Sequence, residues 1–399
     1  MDIMQWRQGR ALAGVGLTAL TLLLPAAAWA AKPPAQVPAE LPAESLTVAP
    51  GPSSSERVYV NDLALAHLPD TRVRVFDARS GKLLGMVSTG FVGNFTVSAK
   101  ADEMYVVSTY HSRTWRGERV DVLEVHDTAS LAFKYEIVLP TKRAQALNDR
   151  GLVRPTANGR FVLVQNATPA TSVTVVDLQQ RKVVGEVPAP GCYLVYPAAS
   201  HASRFSMLCG DGKIATVTLD EQGQVSERQV SDKLFDADAD AWFQHAEQLG
   251  DRYWFLSFKG VLTEVDLGGA VAVVKSTRPL VDAAGQRAGW RPGGYQAFAV
   301  DASARWLVAA MHDKGNEGSH KRPAKKLWIV DLASGKRVAT APGHNITALT
   351  FSRSGQRLHA LDGETGAMHI WQVSARGALK PVVTVKRAGD TVMHLESHD

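Results

Sequence analysis

Cysteine is scarce, with only Cys192 and Cys209 among 399 residues. That count excludes a disulfide-laced scaffold, and with no neighbouring Cys or His pair these two make a poor metal site. Catalytic signatures are missing as well. The chain has no Gly-rich phosphate loop, no H-E-x-x-H helix and no G-x-S-x-G elbow, so phosphate-loop, zinc-peptidase and serine-hydrolase readings have no motif to stand on. The twelve His are scattered. The pair worth inspecting, His312 and His320 in MHDKGNEGSH, is separated by a flexible Gly-rich spacer rather than helical spacing, and loop hydrogen bonding or plain solvation is preferred to a metal site.

Charge of one sign is also lacking. Forty-four basic residues stand against 39 acidic ones, and the one dense basic stretch, HKRPAKK at 320–326, reads as a solvated loop. No basic face interleaved with stacking aromatics accompanies it, which excludes nucleic-acid binding. Three N-x-T sequons, at Asn94, Asn166 and Asn345, read as coincidence beside a bacterial-looking export signal. Beyond residue 60 amphipathic helical periodicity is nearly absent, apart from weak stretches at 236–248 and 283–290.

The apolar run used for export lies at the start. Arg7 and Arg10 form a charged beginning, ALAGVGLTALTLLL an apolar core, and Ala28-Trp29-Ala30 a small-x-small cleavage site, the order of a secretory signal removed after about residue 30. The run, about 14 residues, is short for a membrane span. Residues 31–56, rich in Pro, Ala and Ser, form an arm with few large apolar groups, expected to be mobile until something binds it.

What the chain does have is repetition. Seven times an alternating apolar run ends in a polar turn. Six runs close on Asp, at Asp77, Asp127, Asp177, Asp220, Asp266 and Asp331, and the seventh puts Val373 in that place. The intervals are 50, 50, 43, 46, 65 and 42 residues. Such spacing matches one four-stranded propeller blade and is too long for a hairpin. A second strand signal precedes most markers, in NGRFVLV, ASRFSML, GDRYWFL, SARWLVA and SGQRLHA, and each should pair with its marker strand in the middle of a blade. The fold class is therefore all-β, a seven-bladed β-propeller of four-stranded antiparallel blades over residues 57–399; two β-sandwiches are the alternative. Cys192 and Cys209 flank a polar turn between two apolar runs, where a disulfide would stabilise by about 3 kcal/mol, with two buried thiols as the alternative.

Four segments carry a resemblance. STYHSRTWRGERVDVLEVHD (108–127), LVQNATPATSVTVVDL (163–178), GWRPGGYQ (289–296) and MHDKGNEGSHKRPAKKLWIVD (311–331) resemble the heavy subunits of quinoprotein amine dehydrogenases. The first two look closer to the aralkylamine (aromatic amine) than to the methylamine dehydrogenase heavy chain. The similarity runs from about Arg57 to the last blade.

The resemblance implies a periplasmic α2β2 enzyme in which this chain is the propeller and carries no cofactor or metal. A small cysteine-rich light subunit would hold tryptophan tryptophylquinone. A primary amine would become aldehyde and ammonia, with electrons passing to an azurin- or amicyanin-like cupredoxin. With two cysteines this chain is not that light subunit, and its Trp residues are read as core and surface aromatics. In GMVSTGFVGNF the residue matching the family's substrate-channel gate is Phe91, while Phe95 is read as core. Cys192 and Cys209 match the heavy-chain disulfide in the fourth blade, and RPGGYQ is given a structural role. No catalytic residue is expected in this chain. The competing reading is a stand-alone periplasmic propeller that binds a ligand or protein without redox activity. The arm at 31–56 is expected to clasp a neighbouring subunit.

Overall fold

Strands whose two faces both meet apolar neighbours need no solvent side, and the middle strands of this chain are of that kind. Phe161–Asn166, Ser172–Asp177 and Ile214–Leu219 are buried at every position. Outer strands are different: Phe133–Leu139 and Lys336–Pro342 expose most of their side chains. That gradient arises when sheets stack face to face around an axis, so that each blade covers its neighbours and only outer edges meet water. The computed structural model describes residues 56–145 and 148–398. The expected signal peptide lies outside the described residues, as does the arm except for Glu56.

Seven antiparallel sheets form the ring. In the first blade the innermost strand is the last of the chain, Val392–His398, which pairs with Arg57–Asp62, followed outward by Arg72–Asp77 and Leu83–Ser88. The second blade runs Asn94–Val97, Glu103–Arg113, Arg116–Asp127 and Phe133–Leu139 from the axis outward. The remaining blades begin on the inner strands Val153–Pro155, Cys192–Pro197, Trp242–Leu249, Phe298–Val300 and Ile346–Phe351. In the sixth, Arg291–Pro292 pairs with the end of Trp306–His312, in line with Phe298–Val300 on the same strand, and the chain then turns through Gly293 and Gly294.

The repeating Asp has a local cause. Its carboxylate accepts from backbone N–H groups in the turn between third and fourth strands: Asp77 from Ser80 at 2.7 Å, Asp177 from Gln179 at 2.8 Å, Asp331 from Ser334 at 2.7 Å. These are the Asx-type bonds that favour Asp at the start of a turn. The seventh blade departs by one position. Ser374, not Val373, takes the role, accepting from the Ala378 N–H at 2.9 Å as Asp220 accepts from Gln224 at 2.8 Å.

A second repeat was invisible beforehand. In all seven blades the pairing of third and fourth strands slips by one residue, for example between Val75 and Phe76, Thr218 and Leu219, and Ile370 and Trp371. A bulge raises local twist, which suits blades that must turn between the axis and the rim.

Burial is mostly between blades. Phe161 and Val173 of the third blade pack with Phe205 and Met207 of the fourth, and Trp254 of the fifth with Phe298 and Trp328 of the sixth. Each such large side chain contributes about 1.5–3 kcal/mol relative to exposure. Of the two weak helical stretches, 236–248 contains only the turn Ala237–Asp240, capped by the Asp236 carboxylate, before an inner strand begins at Trp242. The other forms a short helix, Ala283–Arg287. No helix among the described residues is long and apolar enough to cross a membrane.

Candidate functional site

Phe91 follows the outer strand of the first blade and precedes the inner strand of the second. Its loop is fixed from every side. Gly90 and Val92 both have positive φ, 59° and 50°, which for β-branched Val is an unfavourable conformation held only by surrounding bonds. The Thr71 hydroxyl donates to the Gly90 carbonyl at 2.6 Å and accepts from the Gly93 N–H at 3.0 Å. A Cβ at Gly93 would stand 2.2 Å from the Thr89 Cβ, so the close approach requires glycine. Arg143, buried, donates to the carbonyls of Phe91 at 2.6 Å and Val92 at 2.9 Å and to the Thr109 hydroxyl at 2.7 Å.

Held in this way, the Phe91 ring is half-buried. It packs with Leu68 and Tyr295 around Leu63, Val92 and Met393, and meets the His111 ring edge-on at 5.6 Å. Phe95, by contrast, is 1% exposed and belongs to the core between the first two blades.

Beside this loop stands the longest hairpin among the described residues. Its strands, Glu103–Arg113 and Arg116–Asp127, have 11 and 12 residues where the equivalent strands of the third and fourth blades have six. At its tip Trp115 is 63% exposed, with the Arg116 guanidinium 5.5 Å from its ring centre.

Tyr295 connects the Phe91 cluster to a cavity of about 630 Å3, walled also by Trp242, Phe258, Lys321 and, at its base, Asp149 and His245. A second cavity of about 600 Å3 shares Asp149 and His245 and continues past Arg150, Glu247, Thr350 and Glu396. The floor between them is polar and braced: Arg150 pairs with Glu247 at 2.9 Å, and His245 Nε2 lies 3.1 Å from Glu247 and 2.9 Å from the Phe298 carbonyl. Burial pushes the Asp149 carboxyl up to about 6, although His245 and Lys321 pull it the other way.

The remaining expected residues fall as follows. Cys192 and Cys209 are direct cross-strand partners in the fourth blade and are joined by a disulfide. His312 is buried on a strand of the sixth blade, its ring Nδ1 3.1 Å from the Asp313 carbonyl, while His320 is exposed and lines the cavity. Among the described residues no group of three or more His, Cys, Asp or Glu converges as a metal site. Lys321, Arg322, Lys325 and Lys326 of the basic stretch are exposed, as expected of a solvated loop. Asn94 and Asn166 are buried, in keeping with sequons that arose by coincidence. Sequence reasoning missed Asp149, His245 and Lys321, which come from three distant loops or strands and share no local motif. Tyr295 was seen only as part of a turn.

A family model described as methylamine dehydrogenase heavy chain (MADH) matches residues 54–395, the whole ring. The chain belongs to the methylamine dehydrogenase heavy chain family. It is accordingly an amine dehydrogenase subunit. This heavy chain is 28% identical to the methylamine dehydrogenase heavy chain of Methylophilus methylotrophus over 390 residues, covering 94% of each chain. That of Methylobacillus flagellatus is 28% identical over 364 residues, covering 88% of this chain and 90% of its own. Among solved structures, a putative 6-phosphogluconolactonase from Bacteroides fragilis superposes with a TM-score of 0.61 at 12% identity, covering 87% of this heavy chain and 99% of that protein. At that identity the likeness concerns the fold alone.

Proposed function

We propose that this heavy chain is the propeller subunit of a periplasmic α2β2 amine dehydrogenase whose light subunit carries tryptophan tryptophylquinone. The reaction is the oxidative deamination of a primary, arylalkyl amine: ammonium substrate and water give aldehyde, ammonium, two protons and two electrons, the electrons leaving through an azurin- or amicyanin-like cupredoxin. When bound alongside, the quinone supplies the two-electron oxidant. This chain's part is to shape the approach to it.

The observation that carries the reading is the family match along the whole ring, joined to a half-buried Phe91 on a loop that its hydrogen bonds hold rigid. A gate works only if it keeps its position while substrate passes, and rigid presentation from a loop suits that task. The aromatic preference is supported by the segments at 108–127 and 163–178. The exposed tip of the long hairpin, on the side of Phe91, supports docking of a light subunit there.

The test is co-expression with a short, cysteine-rich light chain encoded alongside. The expected outcome is a coloured heterotetramer that reduces dye only when amine is added. Exchange of Phe91 for Ala should then change the ratio of kcat/KM for phenethylamine against methylamine by about tenfold, the scale of a lost apolar contact in a specificity pocket. A colourless monomer beside an expressed light chain favours the stand-alone propeller, and an unchanged ratio removes Phe91 from the channel.

A further inference from the structure

We propose that the cavity walled by Tyr295 and Phe258 is a binding site for an organic ammonium ion within the heavy chain itself, with the Asp149 carboxylate as its counter-charge. The claim goes beyond the enzyme reading, since it needs neither quinone nor light subunit.

Three observations carry it. First, Asp149 lines the cavity, and no described residue donates a hydrogen bond to its carboxylate or makes an ion pair with it within 4 Å. Desolvation pushes its carboxyl up to about 6, against the pull of His245 and Lys321. Second, the walls are aromatic. Trp242, Phe258 and Tyr295 line a space of about 630 Å3, room for an arylalkyl ligand; Trp242 is stacked with Phe235 and Phe255 and Arg291 stands over Phe258, so these two supply apolar wall rather than free ring faces. Third, the lining is acidic, with Asp238, Asp240 and Glu317 against Lys321.

The alternatives fit less well. A divalent metal needs several converging oxygen or imidazole ligands, and the described residues contain no such group. An anion would have to use Lys321 while lying beside Asp149. Among the described residues of the lining Lys321 is the one Lys or Arg, and it already lowers the Asp149 pKa through space, so it competes with a bound ammonium.

That competition gives a signature. Removing Lys321 should tighten a cation and loosen an anion. The groups coupled to Asp149 are His245 and Lys321, which favour its ionised form, and the phenols of Tyr193 and Tyr196 beside it. Ionisation of Asp149 on passing upward through about 6 should therefore strengthen ammonium binding.

The experiment is calorimetric titration of the purified mature heavy chain with phenethylammonium chloride, its neutral isostere phenethyl alcohol, and phenylacetate, with quenching of tryptophan fluorescence as a second readout through Trp242. Saturable binding of the ammonium is expected, at least tenfold tighter than the alcohol. It should weaken about tenfold in Asp149→Asn, tighten about threefold in Lys321→Gln, and weaken between roughly pH 7.5 and pH 5 as the carboxyl takes up its proton. Equal affinity for alcohol and ammonium overturns the proposal, as does preference for phenylacetate, unchanged binding in Asp149→Asn, or no saturable binding at all. Should Asp149→Asn fail to fold, Lys321→Gln and the isostere comparison still decide. Because no light subunit is present, failure here leaves the dehydrogenase reading standing, and success does not establish it.

Discussion

Arg143 shows how much of the Phe91 loop depends on one side chain. Its guanidinium satisfies two carbonyls that face inward and stands 4.0 Å from the Asp121 carboxylate, which Arg119 holds at 2.9 and 2.7 Å. Replacing Arg143 with Met leaves the Phe91 carbonyl without a donor and the Val92 carbonyl with only the Asn94 amide at 3.5 Å, and removes half of a buried charge pairing. A loss of about 3–5 kcal/mol is expected, the range for breaking a buried pair from one side. Urea denaturation measures it; a loss under about 1 kcal/mol would mean that the loop is held by its Thr bonds alone. Two buried groups near the axis also make a paired prediction about pH. Burial against Phe95, with Arg150 nearby, pushes His394 from 6.5 down to about 3, so between those values the unfolded chain carries a proton that the folded one lacks. Its contribution is full above about 6.5 and is lost as pH falls towards 3. Asp149 acts in the opposite sense: raised from 3.8 to about 6, it holds a proton when folded that the unfolded chain has shed, so its contribution is full below 3.8 and lost as pH rises through 6. Between roughly pH 4 and 6 the two slopes oppose one another. Relative to wild type, Asp149→Asn should therefore lose stability more steeply towards acid and His394→Gln less steeply. Parallel curves for all three proteins, from denaturant midpoints across that range, would overturn the assignment.

At the scale of strands and turns, the sequence was legible where an element does a job that one residue type performs best. The Asp markers could be found because each caps a turn with its carboxylate, and the second strands because both their faces are buried and so carry runs such as FVLV and YWFL. The fourth strands were not legible. Val273–Pro279 and Lys336–Pro342 lie at the rim, meet water, and mix polar with small and apolar residues, so they differ little from loops in composition. Inner strands were hard for another reason: three of them have only three or four residues, and longer ones carry polar groups such as His245, Glu247 and Glu396 in place of an alternating apolar pattern. The cavity assembled from them was hidden too, because Asp149, His245 and Lys321 meet only once the ring is closed. Phe91 was found by likeness to a family, since a half-buried Phe in a turn has no signature of its own. The seventh marker tests the turn argument directly. Ser374 accepts at 2.9 Å from Ala378 and at 3.4 Å from Arg376, weaker than the two bonds of 2.8 and 2.9 Å that Asp220 makes in the same turn geometry. Ser374→Asp should raise stability by about 0.5 kcal/mol and Asp220→Ala should lower it by about 1 kcal/mol, read from urea midpoints. If Ser374→Asp is destabilising, the two turns are not equivalent.

For the molecule as a whole, the question is what closes the ring. The last strand, Val392–His398, completes the first blade by pairing along Arg57–Asp62, with His398 opposite Arg57. It also reaches across the axis: Gln296 of the sixth blade accepts from the Leu395 N–H at 2.8 Å and donates to its carbonyl at 3.2 Å. Glu56 adds a second fastening, pairing with Arg79 of the first blade at 2.9 Å and with Arg357 of the seventh. These two devices differ in kind. Loss of the strand exposes an unpaired edge along Arg57–Asp62 and strips the apolar cover given by Val392, Met393 and Leu395, all of them buried. Loss of the Glu56 charge removes polar pairs at the margin. Termination before Val392 should therefore abolish the cooperative transition and leave an aggregating product, because an open hydrophobic strand edge is a template for association. Glu56→Gln should keep a single cooperative transition with stability lower by about 1 kcal/mol, the loss falling on the shielded pair with Arg357 because Arg79 is exposed. Denaturation followed by far-ultraviolet circular dichroism, with sedimentation to detect association, separates the two. A truncated chain that remains monomeric and unfolds at the wild-type midpoint would show that packing between blades holds the ring without its final strand.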